Sequence, residues 1–279
     1  MKGAEKTLSL RSNVIFLILI SSISLWALVD ARKAKLRQKV QYREQSKELA
    51  ETKQIVSLLQ LRAKLKDEIE SPDQFEIAIE LRNKIYSAVP IKNSRLLGAD
   101  TFDPKQEFSD AIHDSEVGHL CGGMALVYMS ALEALGIPAR YVRLFASNGE
   151  NPDSHVTVEF WHDGKWHASD PTFNVMFKKD GQFLSYLELG KLIKSNESYD
   201  VVSNGFEFKK GRELKNYYIN YDDLFEYVII HPSVVNTSEG RKTFELMLIP
   251  ESWDGSIGGK KLSGSLGGVY RLFSEGPLR

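Results

Sequence analysis

The spacing of apolar and polar residues changes several times along this chain, and each change marks an element. Residues 12–29, "SNVIFLILISSISLWALV", carry no charged side chain, which is near the lower limit for a membrane-spanning helix. Residues 32–70 contain neither Gly nor Pro and are densely charged. The first half of that run is nearly all polar and reads as a solvated helix; the second half sets Leu58, Leu61, Leu65 and Ile69 on one helical stripe. The expected role is a spacer or stalk, through which the chain could also oligomerise. Ser71-Pro72-Asp73 breaks the helix, and the pattern predicts an N-cap followed by Pro at the first helical position.

The next segment, "DQFEIAIELRNKIYSAVP", reads as the first helix of a globular domain and stops at Pro90. Residues 91–117 show little periodicity and read as a loop. Within "GHLCGGMALVYMSALEALGIPAR", residues 118–140, a helix begins at Cys121. It presents Ala125, Met129, Leu132 and Leu135 to a core, and Gly136 and Pro138 end it. Beyond it, "RYVRLFA", "SHVTVEFW" and "KWHASDPTF" alternate as half-buried strands. Residues 181–195 read as helical, and "NYYINY", "YVIIHP" and "TFELMLIP" as further strands. Residues 254–268, rich in Gly and Ser, read as loop. Helices first and strands second imply an α+β fold with an antiparallel sheet.

Composition narrows the class. The 279 residues are 42% hydrophobic and 26% charged, with a formal net charge of −1, so the chain is globular and offers no general electrostatic affinity for nucleic acid. Its single cysteine, Cys121, precludes an intramolecular disulfide. The histidines with Cys121 match no common paired-ligand spacing, so neither a metal nor a cofactor is expected. The basic residues on both sides of residues 12–29, Lys2, Lys6 and Arg11 before and Arg32, Lys33, Lys35, Arg37 and Lys39 after, point in opposite directions by charge rules. The expectation is a retained single-pass anchor, with the side of the domain open.

Cys121 at a helix start has two readings: a small buried residue, or a thiol whose thiolate the helix dipole favours. The two glycines after it would let another chain or a substrate approach closely. The downstream hairpin weighs between the readings. Asp163-Gly164 is a strong two-residue turn signal. Such a turn pairs His162 with Lys165 and Thr157 with Asp170, which leaves His155 and Asp170 as diagonal neighbours on one sheet face. An imidazole held by a carboxylate and facing a helix-start thiol is the arrangement of an activated nucleophile. Trp161, Trp166 and Glu159 share that face, the tryptophans as packing or cleft wall and Glu159 as a solvated or structural carboxylate.

"CGGMALVYMSALEALGIPAR" followed by "HVTVEFWHDGKWHASDPT" resembles the core of the transglutaminase-like superfamily, whose fold is related to papain-type cysteine proteases. The resemblance covers roughly residues 118–173 and extends to the helix before them. It implies a catalytic triad of Cys121, His155 and Asp170, a thioester intermediate, and acyl transfer or hydrolysis at a carboxamide or peptide bond of a protein or peptide substrate. The Cys121 backbone N–H would stabilise the oxyanion, with His119 as a candidate second donor. Thr157 departs from the pattern, since many members carry Trp there. The expected layout is a tail and transmembrane anchor over 1–31, a stalk over 32–70, a catalytic core over 71–200 and a strand-rich extension over 201–279. The alternative is a membrane-anchored binding or scaffold protein that uses the same fold without catalysis.

Overall fold

A computed structural model gives the chain two compact units, Met1–Ala50 and Glu51–Arg279. It describes residues 2–69, 71–91, 103–114, 118–146, 153–203, 213–216, 220–225, 227–231, 245–248, 256–257 and 260–261. Of residues 2–25, 27, 47, 51, 216, 227, 229–231, 245–248, 256–257 and 260–261 only the backbone is described.

Helix α1 (Lys2–Glu68) supplies the whole of the first unit, where the described side chains from Trp26 to Leu49 are exposed. Among the described residues no helix is long and apolar enough to cross a membrane. Most side chains of the apolar run 12–29 lie outside the described residues, so the expected anchor gains no support here. The last turns of α1 belong to the second unit and are part of its core rather than a free spacer. Leu61 and Leu65 are fully buried there, with Leu58 and Ile69 packed against the same cluster.

Helix α2 (Gln74–Ala88) is capped by Asp73 and not by Ser71. The Asp73 carboxylate accepts from the N–H groups of Phe75 and Glu76 at 2.9 and 3.1 Å, while Ser71 Oγ accepts from the Asp73 N–H at 3.3 Å. Pro72 therefore precedes the cap. The expected Pro-first pattern occurs instead in α3 (Pro104–His113), capped by Asp103, inside the segment read as a loop. Ten residues with a buried Phe108 and Ala111 are too few for periodicity to reveal. The remaining residues of that segment, 92–102 and 115–117, lie outside the described residues.

Helix α4 (Cys121–Ala134) begins where expected and ends in a left-handed Gly136 at φ 80°. Gly136 N–H donates to Glu133 and Ile137 N–H to Leu132. It is buried on nearly every side, Leu135 only partly, so it is a central helix rather than a one-stripe one. The sheet runs in the order β5-β4-β3-β2-β1-β7-β8, with β6 also pairing with β4. The strands are β1 (Ala139–Phe145), β2 (Ser154–His162), β3 (Lys165–Asp170), β4 (Val175–Lys179), β5 (Gln182–Phe183), β6 (Asp200–Val202), β7 (Tyr227–His231) and β8 (Glu245–Leu248). All these strand pairs are antiparallel. Helix α5 (Tyr186–Lys194) lies between β5 and β6 in sequence. Where "NYYINY" suggested a strand, Leu214–Asn216 and Tyr221–Leu224 are 3-10 turns, and residues 217–219 lie outside the described set. The tail read as loop contains a short hairpin, β9 (Ser256–Ile257) and β10 (Lys260–Lys261).

Strand alternation sorts side chains between two buried layers. Val156, Val158 and Phe160 face the helical core of α2, α3, α4 and the end of α1. Val142, Leu144, Ala168 and Phe177 face Tyr186 and Leu189 of α5 and Tyr221 and Leu224 of the second 3-10 turn. Residues 155–160 of β2 are consequently all buried, and this strand is covered on both faces rather than half-buried.

The β2–β3 hairpin turns through Asp163 at φ 47° and Gly164 at φ 80°, the left-handed pair that a type I′ turn requires. Gly164→Ala introduces a side chain at that φ and should lower stability by roughly 1 kcal/mol, read as a lower urea midpoint at unchanged slope. An unchanged midpoint would show that the turn does not hold the hairpin in this geometry.

Candidate active site

The turn sets the register: His162 pairs with Lys165, Trp161 with Trp166, Glu159 with Ala168 and Val158 with Ser169. One further step brings Thr157 opposite Asp170, with His155 on the same face. His155 Nε2 lies 2.7 Å from Asp170 Oδ2, and both side chains are fully buried. The remaining lone pairs of the carboxylate are also used. Oδ1 accepts from the N–H groups of Thr172 and Phe173 at 2.8 and 3.3 Å, and Oδ2 accepts from Tyr221 Oη at 3.0 Å. The rings of Phe173 and Tyr221 flank His155 with centroids at 5.2 and 5.7 Å.

Cys121 is half-buried at the first residue of α4. With Nε2 engaged by Asp170, Nδ1 is the imidazole nitrogen left to face the thiol. Burial alone would push the Cys121 thiol up, but a hydrogen bond and charge from His155, with a backbone hydrogen bond from Val156, bring it below its ordinary 9.0. Burial pushes His155 the other way, toward neutrality. The charge of Asp170, its hydrogen bond and the thiolate outweigh that and raise the imidazole to about 10. The three residues expected from sequence are thus brought together, with a thiolate–imidazolium pair favoured between them.

The close approach at the glycines after Cys121 is made by the protein's own side chains. A Cβ on Gly122 would come within 3.1 Å of Tyr141 Oη, and one on Gly123 within 2.5 Å of His119 Nδ1. They admit neighbouring side chains of the protein itself, and His119 is buried against the first turn of α4. Glu159 is fully buried and not solvated: it accepts from Arg140 Nε at 2.5 Å and from the Tyr186 N–H at 2.5 Å. Arg140 in turn sits 4.0 Å over the Trp166 ring, and Trp166 meets Trp161 edge-on at 5.2 Å, so the tryptophans are packing. Thr157 donates to the Ser169 carbonyl and contacts Tyr186 Oη at 2.7 Å. Among the described residues no group of three or more His, Cys, Asp or Glu side chains could hold a metal ion.

Sequence reasoning missed two contributors. Tyr221 reaches Asp170 from 51 residues away, and no local pattern announces such a contact. Arg82 is fully buried, with Nε donating to Asn174 Oδ1 at 2.8 Å and Nη1 to Ser169 Oγ at 3.5 Å. A signal existed for Arg82. It occupies a position of the α2 apolar stripe, three residues from Ile79 and from Ile85, where a charged residue needs buried partners.

Residues 63–171 match the transglutaminase-like superfamily. The chain carries a transglutaminase-like domain. Cys121, His155 and Asp170 all lie inside the matched segment, whereas Tyr186 and Tyr221 lie beyond it. Among solved structures, a candidate cysteine protease from Cytophaga hutchinsonii is similar at 25% identity and a TM-score of 0.31, over 41% of this chain and 36% of that one. This chain therefore spans about a third of that protein's length. No curated protein matches the chain.

The electrostatics of the transglutaminase-like site predict its pH response. The thiolate should be populated below pH 9.0, so iodoacetamide should alkylate Cys121 of the folded protein rapidly at neutral pH. A histidine raised to about 10 stabilises the fold in full below its ordinary 6.5 and loses that contribution as pH climbs through about 10. In His155→Gln the burial of Cys121 acts without its main counterweight, so the alkylation midpoint should move upward. Labelling that requires denaturation, or a midpoint unmoved in His155→Gln, would contradict this account.

Proposed function

We propose that this transglutaminase-like domain is a cysteine enzyme acting at the carbonyl of a carboxamide or peptide bond in a protein or peptide substrate. The observation carrying this reading is the contact of His155 with Asp170 at 2.7 Å behind a half-buried thiol at the start of α4. The Cys121 thiolate adds to the carbonyl carbon, forming the C–S bond, and the oxygen takes the charge. The Cys121 backbone N–H at the helix start is the oxyanion donor, with His119 as the candidate second one. Collapse breaks the C–N bond, and His155 passes its Nδ1 proton to the departing amine, leaving a thioester. Asp170 holds the ring and stabilises its charged form. Water or an amine then loses its proton to His155 and attacks the thioester, so the thiolate returns. Water completes hydrolysis and an amine completes transfer.

A binding or scaffold role without catalysis is the competing reading, and one assay separates the two. Glutaminyl peptides incubated with the full chain, with and without added primary amine, should release ammonia or form the amide in wild type and in neither case in Cys121→Ala. Asp170→Asn should fold and lose several orders of magnitude in turnover, roughly the scale of triad carboxylates. Glu159→Gln, at a carboxylate held by Arg140 and the Tyr186 N–H, should lose stability more than chemistry. A wild-type protein that gives neither product would remove the enzyme reading, and a Cys121→Ala protein of full activity would remove Cys121 as its nucleophile.

We also propose that residues 12–29 hold the chain in a membrane as a single-pass anchor, on the strength of their uncharged length. The full chain should then stay with membranes after carbonate extraction. Recovery of a mature chain starting at Arg32, or release into the carbonate wash, would overturn the anchor.

A further inference from the structure

We propose that Tyr221, contributed by the chain beyond the matched family segment, is a positioning residue that shares Asp170 with His155 and so sets how strongly the imidazolium is held. The inference rests on the triad reading above and deepens it. Its basis is a proton count. Three hydroxyls, those of Thr157, Tyr186 and Tyr221, form a chain between two groups that only accept, the Ser169 carbonyl and the Asp170 carboxylate. The links are Thr157 to Ser169 at 3.1 Å, Thr157 to Tyr186 at 2.7 Å, Tyr186 to Tyr221 at 3.3 Å and Tyr221 to Asp170 at 3.0 Å. Four links share three protons, because each hydroxyl has one. One link is always without a proton. The longest, between the two tyrosines, is the natural one to be empty. Thr157 then donates to Ser169, Tyr186 to Thr157, and Tyr221 to the carboxylate.

The consequence follows from where that proton lands. Tyr221 donates to Oδ2, the same oxygen that faces His155 Nε2. A hydrogen bond donated to a carboxylate draws down the negative charge it presents to its other partner. Burial, reinforced by neighbouring negative charge, keeps Tyr186 and Tyr221 protonated well above their ordinary range, so the donor is permanent. Among the described residues the other ionisable groups coupled to this cluster include Cys121 on α4, Arg82 on α2 and Glu159 on β2, and the bonds shown to Oδ2 come from His155 and Tyr221. The Tyr221 ring also packs against Phe173, Phe177 and Phe225. Tyr221→Phe retains that packing and removes only the hydroxyl.

The test reads His155 directly, in full-length Cys121→Ala protein, where no acyl transfer occurs whatever the fate of the enzyme reading. NMR titration of labelled His155 imidazole nitrogens should show the midpoint rise by about 0.5 to 1 pH unit on adding Tyr221→Phe. Tyr186→Phe should not raise it, because loss of that hydroxyl leaves the Tyr221 proton with Asp170 as its only acceptor. A packing defect would move both variants alike. An unchanged midpoint in Tyr221→Phe, or an equal rise in Tyr186→Phe, overturns the inference. Should Tyr221→Phe fail to fold, the Tyr186→Phe arm still decides: no rise supports it and a rise refutes it. Failure of the peptide assay with this ordering intact would refute the enzyme and leave the positioning role standing.

Discussion

The Asp170 carboxylate is fully buried, and four donors from different parts of the chain converge on it. An isolated buried carboxylate would be far too costly, so its donors must be in place whenever the fold is. The β2–β3 hairpin supplies His155, the backbone turn after Pro171 supplies two N–H groups, and the Tyr221–Leu224 turn supplies a phenol. Slippage of the hairpin by one residue would send Asp170 to the helical face of the sheet and leave those donors without an acceptor. The same interaction therefore specifies the strand register and orients the imidazole.

Burial acts on this cluster in opposite directions. It pushes the Cys121 thiol up and the His155 imidazole down, so alone it would leave both groups neutral. Mutual attraction reverses both tendencies, while the charge of Asp170 supports the imidazolium and opposes the thiolate. Arg82 adds a buried positive charge behind the cluster, held by Asn174 and Ser169 rather than by a carboxylate of its own. Burial lowers Arg82, and the charge of Asp170 partly restores it. Asp170 thus supports one cation by direct contact and a second through space.

The parts of this arrangement that were legible in the sequence are local. Asp163-Gly164 fixes a turn type, the turn fixes a register, and the register places His155 beside Asp170 within sixteen residues of chain. Gly136 and Pro138 delimit α4 in the same way. What was not legible depends on distant segments or on competing local choices. Tyr221 arrives from a 3-10 turn that an aromatic-rich sequence disguises as a strand. Ser71 and Asp73 are both good caps, and only the bonds to Phe75 and Glu76 decide between them. Gly122 and Gly123 look like room for a ligand until Tyr141 and His119 are seen to occupy it. Whether Glu159 is solvated or structural stays open in the sequence because its cover, α5, lies outside the hairpin.

The helix starts add a last step. Helices α2, α3 and α5 are capped by Asp73, Asp103 and Ser185, and each has an acidic residue in its first turn. Helix α4 has neither: its N-cap is Leu120, 45% exposed, with no side-chain hydrogen bond and no acidic residue behind it. Omitting a polar cap costs about 1 kcal/mol of helix stability. A carboxylate at either place would occupy the first-turn N–H groups and set a negative charge beside Cys121. Both effects would oppose a thiolate there and crowd the position of an oxyanion. Among helices α2 to α5, the one that begins with the chain's only cysteine is therefore the one with neither a polar cap nor an acidic first turn, and α4 can do without the cap because it is buried on nearly every side.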